Sequence, residues 1–115
     1  MILRQIAILV VTSLILASCA GTRGPERFYF GNYSEAEKCY NKGEYEKAIE
    51  KYQAYIDENP DGNLAIISQY YLGKSQAALG RTEEAKAIYE EIIVGHPDLV
   101  WAKFAETQLQ ELEKK

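Results

Sequence analysis

The chain has 115 residues, 47% of them apolar, with 13 basic and 17 acidic side chains, two cysteines and one histidine. That length supports one small domain and excludes a second. Arg4 is the one charged side chain before Cys19, so residues 19–115 carry 12 basic against 17 acidic groups, a net of −5. This is the wrong sign for a phosphate backbone, and no basic stripe interrupts it, which excludes nucleic acid as a partner class.

The front end has a different composition from the rest. Arg4 precedes the uncharged stretch Ile6–Leu16, an apolar run of 11 residues. As a helix it would reach ~17 Å at the usual rise per residue, short of the ~30 Å hydrocarbon core of a bilayer. Residues 1–18 therefore read as an export signal rather than a permanent span. Residues 19–29 follow as a segment rich in Gly, Pro and charge, read as a tether, and residues 30–115 hold the fold.

The remainder of the chain repeats itself at a fixed interval. A shift of 37 residues places Gly43 on Gly80, Glu46 on Glu83, Ala48 on Ala85, Tyr52 on Tyr89, Ile56 on Ile93 and Pro60 on Pro97. Ala65 falls on Ala102 and Leu72 on Leu109 in the same register. Each unit reads as a helix pair. The first helix opens at a capping box, Ser34 to Glu37, and ends at Gly43. The second carries Tyr45, Ala48, Ile49, Tyr52, Tyr55 and Ile56 at helical spacing and stops at Asn59–Pro60. A second pair is expected over about 63–79 and 82–94. Asp98 is expected to cap a final helix carrying Trp101, Phe104, Ala105, Leu109 and Leu112 on one stripe. The expected fold is all-α, a solenoid of two helix pairs plus a C-terminal capping helix.

Chemistry-bearing groups are sparse. His96, beside Pro97, reads as a solvated turn residue, and Cys39 as a core thiol whose sharper alternative is an intermolecular disulfide. One histidine and one such cysteine make no metal site. Tyr70 and Lys74 have the Tyr-x-x-x-Lys spacing of short-chain dehydrogenases, but no Gly-x-Gly-x-x-Gly loop accompanies them. The pairs Glu83–Glu84 and Glu90–Glu91 read as solvated charge. No enzyme, cofactor, metal or small-molecule substrate is expected.

Two resemblances add to this. Leu16-Ala17-Ser18-Cys19 resembles the lipobox of bacterial lipoproteins. The resemblance implies cleavage before Cys19 and lipidation of that residue, hence a membrane anchor, since several acyl chains at ~0.8 kcal/mol per buried methylene hold a protein stably. With Ala20 after the cysteine, it further implies the outer membrane, with the domain facing the periplasm. Gly43 to Pro60 and Gly80 to Pro97, with Leu72–Gly73, resemble the tetratricopeptide repeat, although the period of 37 residues exceeds the usual one of about 34. The first unit departs from the family pattern at Glu35–Ala36 and at Cys39.

The repeat resemblance implies a non-catalytic adaptor that binds an envelope protein or peptide on the concave face lined by the first helix of each pair. The matching positions are Phe30, Tyr33, Glu37 and Tyr40, then Ile67, Tyr70, Lys74 and Ala77, then Phe104, Thr107 and Glu111. Aromatic side chains there suit protein recognition, because they supply contact area at low entropic cost. The expected setting is an envelope assembly, secretion or transport complex. A rival reading is a structural subunit that self-associates or stacks through its repeat flank.

Overall fold

The computed structural model describes residues 28–115. The expectations for the signal, for Cys19 and for most of the tether fall outside these residues. Five helices follow one another: α1 (Asn32–Asn41), α2 (Tyr45–Glu58), α3 (Asn63–Ala78), α4 (Thr82–Gly95) and α5 (Val100–Glu113). No strand occurs among the described residues. The expected all-α architecture of two pairs and a last helix is the one observed.

The repeat in sequence is a repeat in backbone geometry. Gly43 and Gly80 both sit at φ +77°, a left-handed conformation that costs a residue with a Cβ about 1–2 kcal/mol. Each supports the same double closure of the preceding helix. Gly43 N–H donates to the Tyr40 carbonyl at 3.0 Å and Glu44 N–H to the Cys39 carbonyl at 2.9 Å. In the second unit Gly80 donates to Ala77 and Arg81 to Gln76, both at 3.0 Å. The second helices end alike as well. Asn59 N–H donates to Tyr55 and His96 N–H to Ile92, each at 2.9 Å, and the proline that follows has no N–H with which to continue the helix.

The helix starts differ from expectation in two places. None of the five helices has a side-chain hydrogen bond at its N-cap. Ser34 lies inside α1, which begins two residues earlier, and its hydroxyl accepts the N–H of Phe30 at 2.8 Å. The serine thus ties down the chain entering the helix instead of opening a capping box. Asp98 stands one residue before the N-cap of α5, which is Leu99 in extended conformation. In both cases the turn geometry set by glycine or proline places the first helical residue, and the polar side chain adapts to it.

Packing follows chain order. Each helix lies against the next, and α1, α3 and α5 also approach one another in succession, whereas the backbones of α2 and α4 stay apart. The stack therefore curls toward the side of α1, α3 and α5 and splays on the side of α2 and α4. Two core clusters result. Ala36, Ala48, Tyr52 and Leu72 form the first, and Tyr70, Ala85, Tyr89, Ile92 and Ala105 the second. Tyr71 and Ile88 pack against both and join them. Small residues at the closest approaches let the helices pack tightly. Gly73 is the sharpest case: a Cβ there would lie 2.7 Å from Cε1 of Tyr89.

Candidate functional site

The inner face holds a groove of about 250 Å³. Tyr33, Glu37 and Tyr40 from α1 form one wall, Ile67 and Tyr71 from α3 the other, with Tyr52 below and Trp101 of α5 at one end. Four positions expected from the sequence, Tyr33, Glu37, Tyr40 and Ile67, are therefore brought together in one concavity.

The rings that line it form a connected set. Tyr40 and Tyr71 meet edge to face with centroids 5.1 Å apart. Tyr71 stacks on Tyr52 at 6.1 Å, and Tyr33 meets the edge of Tyr52 at 6.2 Å. Such geometry suits the ring quadrupoles and fixes each side chain against its neighbour. The groove is thus a preformed surface in which adding a ligand orders little.

The other expected positions lie elsewhere. Tyr70 is only 7% exposed, because α5 packs on α3 and sets Trp101 at 5.3 Å and Phe104 at 6.2 Å from its ring. It is a core residue, and the expectation that it offers a contact surface is corrected. Lys74 is half-buried, with Nζ 6.0 Å from the centre of the Tyr70 ring, and Ala77 packs against the second cluster. Phe104 is 43% exposed beside Trp101. Thr107 donates its hydroxyl to the Lys103 carbonyl at 3.1 Å, and Glu111 pairs with Lys114 at 3.2 Å. Phe30 is exposed, its ring 6.5 Å from that of Tyr33. Tyr71 and Trp101 line the groove without having been expected there. Carrying over repeat positions omits them, and only the juxtaposition of α1, α3 and α5 brings them in.

Protonation defines what these groups can do. Burial is the first cause that raises the phenols of Tyr33, Tyr40, Tyr52, Tyr70 and Tyr89 above their ordinary value. The Glu37 carboxylate adds to this at Tyr33, and Tyr45 adds at Tyr40. At neutral pH all five phenols are protonated, and Tyr33 and Tyr40, which line the groove, can donate an O–H there. The arrangement can hold an extended or helical segment by ring contact and hydrogen bonding.

His96 is the C-cap of α4, as a turn residue should be, and Cys39 is half-buried against the first cluster. Among the described residues no three His, Cys, Asp or Glu side chains are grouped to hold a metal ion, and no helix is long and apolar enough to cross a membrane.

Comparison with known proteins agrees with the geometry. The family model of the tetratricopeptide repeat matches residues 36–62 and 68–98, just over half of the chain. These stretches span α2 and α4 with most of the helix that precedes each. Among curated proteins nothing matches the chain. Repeats of this type generally mediate protein–protein interaction and are typically non-catalytic. With a 37-residue period, paired helices and glycine-closed turns all in register, the chain belongs to the tetratricopeptide repeat family.

Proposed function

We propose that the protein is a bacterial lipoprotein, anchored to the outer membrane through lipidated Cys19, whose repeat domain is a non-catalytic adaptor in an envelope assembly, secretion or transport complex. The lipobox-like Leu16 to Cys19 supports the anchor. The observation that carries the adaptor reading is the aromatic groove of Tyr33, Tyr40, Tyr71 and Trp101 on the inner face of a family that binds proteins. Anchoring raises the local concentration of a captured partner at the membrane, so modest affinity suffices.

The test is a crosslinking pull-down from native membranes, comparing wild type with a Tyr40→Ala/Tyr71→Ala variant whose helicity is checked by circular dichroism. One envelope protein is expected with wild type and lost with the variant, and labelled palmitate is expected to be incorporated unless Cys19→Ser is introduced. The same neighbours in both samples would end the groove reading. Absence of label in wild type would end the anchor reading.

Self-association is a second reading, favoured by Val94 and Val100, 81% and 56% exposed near the turn between α4 and α5. Light scattering decides it: a mass above one chain that falls with Val94→Ser/Val100→Ser supports a flank contact.

A further inference from the structure

The splay of α2 from α4 opens a second and larger concavity on the outer face, about 750 Å³ in volume. It shares no lining residue with the aromatic groove. α3 lies beneath both, presenting Ile67 and Tyr71 to one and Gln69, Leu72 and Gln76 to the other. The floor of the outer trough is apolar, built from Ile49, Ile56, Leu72 and Ile88. Its rims are acidic: Glu50 and Asp57 from α2 on one side, Glu84 and Glu91 from α4 on the other.

Each acidic pair is seven residues apart, two helical turns or ~10 Å along its helix. The carboxylates thus stand at four corners around an apolar strip. None of the four is in an ion pair among the described residues, and no lining residue is basic. The cation at the edge, Arg81, is already held by Glu46 and by the side chain of Gln76. Gln53 and Gln69 hydrogen-bond to Asp57 and Glu91 at 3.0 Å and position those two carboxylates without neutralising them.

From this charge and shape we infer that the outer trough docks a cationic amphipathic helix of a partner protein, its apolar stripe on the isoleucine floor and its Lys or Arg side chains, seven residues apart along each border, on the four carboxylates. Opposite charge across a desolvated apolar strip fixes register and speeds encounter, and the apolar face supplies the contact. This site is independent of the aromatic groove, so the protein can hold two segments at once.

The experiment uses the full chain in neutral phosphatidylcholine nanodiscs, with empty discs as the blank. The probe is a labelled amphipathic peptide of about 15 residues, with isoleucine and leucine on one stripe and lysines at seven-residue spacing on both borders. A second peptide carries glutamate in place of lysine. The lysine peptide is expected to bind, and the glutamate peptide not. Glu50→Lys/Glu84→Lys should raise Kd by at least about tenfold, and Ala54→Trp, which fills the trough, should do the same. Glu106→Lys/Glu113→Lys, an equal change of net charge on α5, should leave Kd within about twofold. Equal loss in that last variant, unchanged binding in Glu50→Lys/Glu84→Lys, or loss confined to Tyr40→Ala/Tyr71→Ala would overturn the proposal. Should circular dichroism show that a charge-reversed variant has lost helix, Glu50→Gln/Glu84→Gln takes its place with the same expectation.

Discussion

The two helix pairs carry one motif in two environments. Tyr33 and Tyr70 are equivalent under the 37-residue shift, and each lies 6.2 Å from its partner, Tyr52 or Tyr89. Yet Tyr70 is buried and Tyr33 remains half-exposed at the groove. The motif places the ring against its own second helix, and the next helix decides whether water still reaches it. α5 supplies Trp101 and Phe104 over Tyr70, whereas α3 leaves Tyr33 open. Exposure in such a stack is therefore set by position in the array as well as by residue type.

The largest effect that probes this comparison is alkaline unfolding. Burial holds the phenols of Tyr52 and Tyr89, one in each pair, well above their ordinary value of 10.0. The folded state therefore resists ionisation that the unfolded chain accepts. The stability involved is fully present below about pH 10 and is lost as pH climbs toward the raised folded values. Helicity and phenolate absorbance, followed together against pH, should change in one cooperative step for both pairs. Two separate steps would mean that the pairs are energetically distinct units.

A smaller effect separates the pairs. Gly73→Ala drives a methyl into Tyr89 and should cost about 1–3 kcal/mol through overpacking. The equivalent position in the first pair already holds Ala36, fully buried, so Ala36→Gly should destabilise through lost burial and helix propensity, by about 1–2 kcal/mol. Denaturant midpoints of the two variants should both fall. A neutral Gly73→Ala would mean that the second pair relaxes as freely as the first.

The smallest effect has the opposite sign. The Tyr89 hydroxyl is buried without a hydrogen-bond partner among the described residues. Tyr89→Phe should therefore raise stability by about 1 kcal/mol, whereas Tyr52→Phe should be close to neutral. Thermal unfolding at neutral pH compares them, and equal shifts would remove the distinction.

The sequence made the architecture legible because glycine and proline punctuate it at fixed intervals and alanine marks the helix crossings. Helix starts were less legible: Ser34 and Asp98 have the residue types of caps, but backbone geometry assigned the starts to Gly31 and Leu99. The groove was half legible. Tyr33, Glu37, Tyr40 and Ile67 follow from repeat register, while Tyr71 and Trp101 enter, and Tyr70 leaves, through contacts between helices some thirty or more residues apart in sequence. The outer trough left no motif at all. It exists because α2 and α4 stand apart, a distance no periodicity records.

That each helix leans mainly on its neighbours in the chain also governs how the domain responds to load. Contacts this local form quickly, without waiting for distant segments to meet. Pulled from its N-terminal end, the domain would not rupture as a single block. Among the described residues α1 is held by α2 and α3 alone, so tension would peel it away first and pass to the next pair.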